Sequence, residues 1–260
     1  MVSVIFPAAG QGKRMKAGIN KVFLDLAGTP MLERTLRTFS SVSAVDELIV
    51  VTGAEEVKRL SAILVETPGL KPCRVVAGGS ERQYSVRNGL DAVSAQNDIV
   101  LVHDAARPLV TPRTIEAVIE AARVHGAAVA AVPEKNTIKA VSQEGIVRST
   151  PPRSSLWAVQ TPQGFRRDLL LEANQKAEAD GFLGTDDASL VERLGWPVYV
   201  VMSEYSNIKV TTPEDLLIAE AFLRQAQSGA GGLVRAAARQ ARNVWGKRHP
   251  GAVGDEEEKI

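Results

Sequence analysis

The residues best suited to chemistry follow the first apolar run of the chain directly. Small residues dominate that segment: Pro7, Ala8, Ala9, Gly10 and Gly12. Glycines after a strand let backbone N–H groups approach an anion, and small side chains leave room for a flat base. Four cations then fall within nine residues: Lys13, Arg14, Lys16 and Lys21. Because a triphosphate carries about four negative charges, the segment predicts a nucleotide-binding loop.

Two familiar phosphate motifs do not fit this loop. A P-loop requires G-x-x-x-x-G-K-[ST], but Pro7 stands at the first glycine position and Arg14 at the Ser/Thr position. A dinucleotide fingerprint requires a third glycine, and Met15 stands there instead. A tight turn with a basic flank also occurs in proteins without this function, so the loop alone leaves both interpretations open.

Further polar clusters follow later apolar runs. Segment 78–85 opens with two glycines and places Ser80, Arg82 and Ser85 at an expected helix start, where Ser80 and Gln83 fit a capping box. This segment admits the edge of a base, or it is an ordinary capped turn.

Asp104 follows the fourth apolar run, at the strand end where open α/β sheets bind ligands. Its carboxylate could orient a hydroxyl or help to hold hydrated Mg²⁺. The neighbouring His103 is expected to pack or hydrogen-bond rather than catalyse. Arg153 and Lys209 are weak signals by spacing alone.

The elements that must position these residues alternate along the chain. Apolar runs cover 4–6, 47–52, 74–77, 98–102, 127–132 and 197–202, and amphipathic stretches cover 31–41, 55–66, 82–95 and 112–125. Thr111 and Thr212, each followed by proline, predict helix N-caps. The alternation predicts an α/β fold, with a mostly parallel sheet covered by helices on both faces.

The alternation breaks at residues 135–156, which predict an inserted hairpin, a β-arm. Such an arm can be a dimer contact, a substrate lid or an ordinary surface hairpin. Residues 1–227 are expected to form one domain, since one core holds at most roughly 250–300 residues. The Gly/Ser/Ala-rich and then charged composition of 228–260 predicts a flexible C-terminal extension.

Composition excludes several classes of protein. The net charge of +1 argues against nucleic-acid binding. No apolar run approaches the ~18 residues that span a bilayer, and no basic leader opens the chain, so we expect no membrane contact and a cytoplasmic location. Cys73 is the single cysteine and lies in an apolar run, so it is expected to be a buried strand residue rather than a nucleophile.

Taken in order, these segments resemble the 2-C-methyl-D-erythritol 4-phosphate cytidylyltransferase family over about residues 3–225. The motifs that carry the resemblance are P-A-A-G-x-G-x-R-M at 7–15, Lys21, G-G-x-x-R-x-x-S at 78–85, H-D-A-A-R-P at 103–108, Thr137, R-x-x-L-W at 153–157, T-P-Q at 161–163, T-D-D at 185–187 and N-I-K-V-T at 207–211. The resemblance implies a Rossmann-like nucleotidyltransferase fold that joins methylerythritol phosphate to CTP and releases pyrophosphate. It also implies dependence on Mg²⁺ and a homodimer whose β-arm reaches the neighbour's site.

The same resemblance implies roles for individual residues. Those expected in catalysis are Arg14, Lys21, Arg153 and Lys209. Those expected to bind the nucleotide are Pro7, Ala8, Ala9, Gly10, Gly12, Arg14, Lys21, Gly78, Gly79, Ser80, Arg82, Ser85, Ala105 and Lys209. Those expected to bind methylerythritol phosphate are Asp104, Arg107, Thr137, Arg153, Thr161 and Thr185. Asp104 is also expected near the metal, and Thr137 and Arg153 are expected to come from the partner subunit.

The sequence departs from the family pattern at a few positions. The family lysine usually lies in a Pro-Lys-Gln context, whereas this chain has Asn20-Lys21-Val22, and acidic residues are common at the positions of Ser80 and Asn136. Two alternatives stay open. A ribitol 5-phosphate cytidylyltransferase would tend to carry H-D-S-x-R-P and lack R-x-x-L-W, so segments 103–108 and 153–157 disfavour it. A non-catalytic nucleotide-binding module would release no pyrophosphate.

Overall fold

The computed structural model describes residues 1–10 and 20–227; Gly12, Arg14 and the predicted extension at 228–260 lie outside them. The strands are β1 (Val2–Pro7), β2 (Glu47–Thr52), β3 (Cys73–Ala77), β4 (Ile99–Val102), β5 (Ala127–Pro133), β6 (Ala140–Val141), β7 (Val147–Ser149), β8 (Trp157–Arg166) and β9 (Tyr199–Met202). The α-helices are α1 (Met31–Ser41), α2 (Val57–Glu66), α3 (Arg82–Asp91), α4 (Pro112–His125), α5 (Arg167–Ala179), α6 (Asp187–Arg193) and α7 (Pro213–Gln227).

The described strands form a seven-stranded sheet in the order β3-β2-β1-β4-β8-β5-β9. β8 runs antiparallel to β4 and β5, while the other neighbouring pairs are parallel. Because β1 to β4 and β9 point the same way, the loops that follow them meet at one edge of the sheet.

Helices cover both faces of this sheet, as its apolar strands predict. Alternate residues of β1 point to opposite faces: Phe6 packs in a core with residues of α1, α2 and α4, and Ile5 in a core with residues of α3, α5 and α6. In the part of the chain that the structure describes, no helix is both long and apolar enough to cross a bilayer.

The sequence-based elements are largely confirmed, with corrections. The predicted helices at 31–41 and 112–125 have those bounds, and the Thr111 hydroxyl caps α4 by accepting from Thr114 N. Strand β8 and helices α5 and α6 were not predicted. The predicted capping box of Ser80 and Gln83 is wrong. α3 has Glu81 as its N-cap, and the Gln83 amide instead binds Phe182 O and Gly184 N.

Cys73 begins β3, as expected of a strand residue, but is half-buried rather than fully buried. Burial raises the pKa of its thiol to about 11, which disfavours the thiolate.

The insertion at 135–156 contains the predicted hairpin. β6 and β7 pair antiparallel in a sheet of their own, and Glu134 N donates to Leu156 O where the arm joins the domain. The hairpin exposes apolar side chains: Ile138, Val141, Ile146 and Val147 are 40%, 53%, 62% and 52% exposed. Two-stranded hairpins of this kind are marginally stable alone.

Candidate active site

The loops after β1, β3, β4 and β9 surround a cleft of about 340 Å³ at the carboxyl edge of the sheet. The predicted site residues that line it are Pro7, Ala8, Ala9, Gly10, Lys21, Gly79, Ser80, Arg82, Ser85, Asp104, Ala105 and Lys209. Val22, Glu81, Ala106 and Thr211 line it as well and were not predicted. Residues from four distant segments therefore meet in one cleft.

The first loop is attached to β2 and to the turn that carries Lys21. Ala8 N donates to Val51 O at 2.7 Å, and Asn20 Nδ2 donates to Ala8 O at 2.6 Å. The Asn20 Oδ1 accepts from Val22 N, so Asn20 caps the short 3-10 turn Lys21–Phe23. Lys21 Nζ in turn donates to Val210 O at 3.0 Å, which holds this cation at the cleft.

The loop after β3 packs closely against the loop after β1 at Gly78. A Cβ on Gly78 would lie 2.8 Å from Ala9 Cβ and 2.9 Å from Ser85 Oγ, so a larger residue would force the two loops apart. Gly79 N donates to Ser85 Oγ at 3.1 Å, which fixes the backbone at the start of α3. Gly78 thus shapes the cleft from behind, although it does not line it.

Asp104 forms the acidic floor of the cleft and is 8% exposed. Within the described chain its carboxylate meets three cations: Lys209 Nζ at 2.9 Å, Arg107 Nε at 3.5 Å and Arg82 Nε at 3.9 Å. Burial alone would raise the pKa of Asp104, but Lys209, Arg82 and Arg107 together lower it to about 2. The carboxylate is therefore ionised throughout the neutral range.

Behind Asp104 lies a buried polar layer that holds it in place. Asp104 N donates to Thr161 Oγ1 at 3.0 Å, and Thr161 Oγ1 also lies 3.1 Å from His103 Nδ1. His103 is fully buried against Phe6 and Phe39, and burial lowers its pKa to about 3. As predicted, His103 packs and hydrogen-bonds, and it has no path to the cleft.

The loop after β9 delivers Lys209 and is pinned at two points. Asn207 is fully buried and donates to Gln160 Oε1 and Thr161 O, each at 2.9 Å. Val210 N donates to Ala106 O at 2.8 Å, one residue beyond Lys209. The Lys209 backbone is therefore fixed on both sides, which gives its side chain a defined starting point at the cleft.

The remaining predicted residues lie away from the cleft surface. Thr161 is buried beneath Asp104, and Arg107 contacts Asp104 and donates to Asn207 O at 2.7 Å. Thr185 is exposed on the segment before α6. Thr137 and Arg153 are exposed on the arm, where Arg153 Nη1 donates to Lys135 O. Direct contacts of these residues with substrate remain predictions.

Sequence reasoning did not assign a role to Asp187. Its carboxylate is 1% exposed and lies 2.7 Å from Arg82 Nη2. The two residues are 105 positions apart, so no spacing rule could pair them. The signal available was the T-D-D motif, which carried the resemblance without a function for its last residue.

Comparison with known proteins identifies the family. A family model described as 2-C-methyl-D-erythritol 4-phosphate cytidylyltransferase (IspD) matches residues 2–225. The chain belongs to this family. Proteins of that name from Geotalea uraniireducens and Symbiobacterium thermophilum are 50% and 52% identical over 230 and 224 residues, covering 87% and 86% of this chain and 98% and 93% of theirs.

Solved structures agree with the family. The 4-diphosphocytidyl-2C-methyl-D-erythritol synthase of Anaerococcus prevotii superposes with a TM-score of 0.77 at 34% identity, covering 86% of this chain and 98% of its own. The cytidylyltransferase of Thermus thermophilus gives a TM-score of 0.70 at 38% identity, covering 85% and 98%. The predicted family, Rossmann-like fold and nucleotidyltransferase class are confirmed.

The cleft of this cytidylyltransferase offers a divalent cation one carboxylate, that of Asp104. Among the described residues, no three His, Cys, Asp or Glu side chains stand together as a metal cluster. Mg²⁺ in nucleotide sites is usually held by one or two carboxylates plus substrate phosphates. Asp104 supplies one ionised carboxylate on the cleft floor, so the cleft suits an ion that arrives with the triphosphate.

Proposed function

We propose that this cytidylyltransferase transfers CMP from CTP to 2-C-methyl-D-erythritol 4-phosphate, in the synthesis of isoprenoid precursors. The observation that supports it best is the cleft itself. It combines a small-residue loop, a glycine-opened helix start and a set of cations in one place: Lys21, Arg82 and Lys209. Small residues leave room for a flat base, and fixed cations match a triphosphate.

The reaction needs positioning more than proton transfer. A phosphate oxygen of methylerythritol phosphate attacks the α-phosphorus of CTP, the bond from that phosphorus to the bridging oxygen of the β-phosphate breaks, and pyrophosphate leaves. The attacking monoester has a second pKa of about 6, so it is largely ionised at neutral pH and requires no base. This agrees with a cleft whose neighbouring His103 is buried and uncharged.

Catalysis in this scheme comes from cations held ready for the transition state. Lys21 is held by its bond to Val210 O, and Lys209 is held by its contact with Asp104. We expect Arg14 to act together with these two lysines. Preorganised charges of this kind stabilise the pentavalent phosphorus without rearranging during the reaction.

We further propose that Mg²⁺ enters with CTP and is held by Asp104 and the phosphates. When bound, it would neutralise charge on the triphosphate as a Lewis acid. Asp104 contacts Lys209 at 2.9 Å, so the metal and this lysine would share one carboxylate.

The substrate phosphate is proposed to be met by the arm of a second subunit. Thr137 and Arg153 lie on the exposed hairpin of residues 135–156, outside the cleft lining. The exposed apolar side chains of that hairpin, Val141 and Ile146 among them, suit a protein partner rather than water. We propose a homodimer in which each arm completes the neighbour's site, and a cytoplasmic enzyme.

The first test measures pyrophosphate release with CTP and Mg²⁺, offering methylerythritol 4-phosphate and ribitol 5-phosphate separately. Turnover with the first compound alone is the expected result. Turnover with ribitol 5-phosphate alone would keep the CTP site but overturn the assigned acceptor. No turnover with either would favour a nucleotide-binding module.

A further inference from the structure

A buried acid behind the cleft holds one of the cleft's cations. Asp187 begins α6, and its Oδ2 lies 2.7 Å from Arg82 Nη2. The Nε of the same guanidinium lies 3.9 Å from Asp104 Oδ1 on the cleft floor. Arg82 therefore stands between two carboxylates, one wholly buried and one at the cleft.

We propose that Asp187 is a positioning residue for cytidylyl transfer: it holds the Arg82 guanidinium toward CTP and keeps it from closing onto Asp104. The inference rests on the proposed function, since it concerns the site where CTP would bind. It assigns a role to the last residue of the T-D-D motif, which touches none of the cleft surface.

Asp187 and Asp104 compete for the guanidinium of Arg82. Asp187 is in direct hydrogen-bond contact with Arg82, whereas Asp104 is more than an ångström farther away and already contacts Lys209 at 2.9 Å. If the charge at 187 is removed, the remaining anion attracts the guanidinium to the floor. Arg82 would then be withdrawn from CTP, and Asp104 would be more fully occupied by protein cations.

Burial makes the pairing of Asp187 and Arg82 obligatory. Burial raises the pKa of Asp187 and favours its neutral form, whereas the adjacent guanidinium favours the carboxylate. Burial alone would lower the pKa of Arg82, but the charges of Asp187 and Asp104 raise it. Removing one partner of such a pair leaves the other charge without compensation, which favours movement of the remaining side chain toward another partner.

The start of α6 is rigid enough to act as a fixed anchor. Asp186 caps the helix by accepting from Ser189 N at 3.0 Å, and Gln163 Nε2 on β8 donates to Asp186 Oδ2 at 2.7 Å. Ala188 N donates to Gln163 Oε1 at 3.1 Å. These contacts fix the backbone on both sides of Asp187 without involving its carboxylate.

The docking of α3 is also independent of the ion pair. Gln83 Nε2 donates to Phe182 O at 3.1 Å, and Gly184 N donates to Gln83 Oε1 at 2.9 Å. These two bonds hold the first turn of α3 against the segment before α6. A change confined to the Asp187 carboxylate should therefore release the Arg82 side chain and leave its helix in place.

The test is a double-mutant cycle on CTP binding in the presence of Mg²⁺, measured by calorimetry with melting temperatures recorded alongside. Asp187→Asn keeps the shape and removes the charge, and should raise the Kd for CTP about tenfold. Arg82→Gln should raise it by a similar factor. The double variant should bind within about twofold of Arg82→Gln alone, because Asp187 acts through Arg82.

Ser189→Ala is the matched control. It weakens the start of α6 by removing the hydroxyl that donates to Asp186 O, and it leaves Arg82 and Asp187 in contact. We expect a lower melting temperature with an unchanged Kd for CTP. Asp187→Ser serves if Asp187→Asn does not fold; it also removes the charge and should raise the Kd for CTP by a similar factor.

Two results would overturn the inference while leaving the function intact. One is wild-type protein that binds CTP together with an Asp187→Asn or Asp187→Ser variant whose Kd is unchanged, which would make Asp187 structural only. The other is a double variant whose loss of CTP affinity equals the sum of the two single losses in free energy, which would make the two residues independent. Wild-type protein that does not bind CTP would overturn the proposed function and the inference with it.

Discussion

Single residues set the electrostatics of the cleft through one shared carboxylate. Asp104 is ionised because Lys209, Arg82 and Arg107 outweigh its burial, and its pKa is about 2. Lysines and arginines packed side by side would repel one another without an anion between them. Asp104 therefore lets the fold keep several cations in one cleft.

Lys21 is the cleft cation whose loss is easiest to interpret. It is expected to stabilise charge in the transition state, so Lys21→Ala should lower kcat on the order of 10²–10³-fold and change the melting temperature little. Steady-state pyrophosphate release with CTP and methylerythritol phosphate measures this. Arg59→Ala, which removes a charge from an exposed position on α2, is the control and should match the wild type. A near-normal kcat for Lys21→Ala would remove Lys21 from catalysis.

Asn20 explains how this chain manages without the proline usual before the family lysine. Its φ is −62°, close to the value that a proline ring imposes, and its side chain bonds Ala8 O and Val22 N. Two hydrogen bonds thus hold the turn that carries Lys21.

Substitutions at Asn20 separate backbone shape from side-chain bonding. We expect Asn20→Ala to lower kcat/KM for CTP roughly tenfold, because the turn that carries Lys21 loses its cap. Asn20→Pro should stay within about threefold of the wild type, since proline fits the observed φ. An equal loss of kcat/KM in both variants would show that the side-chain hydrogen bonds of Asn20 are more important than its backbone angle.

At the scale of elements, the parallel strands were predictable and β8 was not. β1, β2, β4 and β5 are mostly apolar and almost wholly buried, as is typical of strands covered on both faces. β8 carries Pro162 and Gly164 in a central position, and both residues argue against a central strand. The ladder with β5 tolerates Pro162 through an irregularity, since Val129 pairs with Gln163 but Ala131 pairs with Val159; Gly164 stays in regular register with Ala128.

Gly164 shows why local sequence could not reveal this strand. A Cβ there would lie 2.8 Å from Val118 Cγ1 on α4 and 2.9 Å from Leu101 Cδ2 on β4, so glycine is set by tertiary packing. The same limit applied to the site. The loops after β1, β3 and β4 were foreseen because glycines, cations and Asp104 mark them, and the loop after β9 was foreseen only through the family resemblance. The Asp187–Arg82 pair depends on how α6 packs.

The opposite edge of the sheet is locked by a buried glutamate. Glu47 Oε1 accepts from Ser3 Oγ at 2.6 Å and from Ser94 N at 2.8 Å, and Glu47 Oε2 accepts from Arg74 at 2.6 Å. The network therefore ties β1, β2, β3 and the segment after α3 together, far from the cleft. Burial alone would raise the pKa of Glu47, but these hydrogen bonds lower it to about 2.

This network predicts how stability depends on pH. The pKa of Glu47 is lower in the folded than in the unfolded chain, so its contribution is present above about pH 4.5 and lost as pH falls toward about 2. Glu47→Gln should reduce the free energy of unfolding by about 2 kcal/mol at pH 7, and the difference should narrow below pH 4.5. Urea unfolding across this range tests it; a difference independent of pH would show that the charge is not what stabilises the edge.

Within one chain, the described cleft lacks two residues that were predicted to bind substrate, Thr137 and Arg153. Arg153 and Thr137 are on the hairpin of residues 135–156, whose own contacts include Arg153 with Lys135 O and the ammonium of Lys135 3.3 Å above the ring of Tyr205. The arm is thus anchored at its base and exposed beyond it. A second copy of the chain would cover the apolar arm and bring these polar residues to a cleft in one step.

Heterodimers of two inactive variants test this arrangement directly. Chains carrying Arg153→Ala and Lys209→Ala, with different affinity tags, are co-expressed and purified through both tags. If Arg153 serves the neighbour's cleft, one site carries both defects and the other none, so the heterodimer should have about half the wild-type activity. If Arg153 serves its own cleft, each site carries one defect and activity stays at the level of the parent variants. A Lys21→Ala and Lys209→Ala heterodimer is the control; both residues line one cleft, so it should remain inactive in either arrangement.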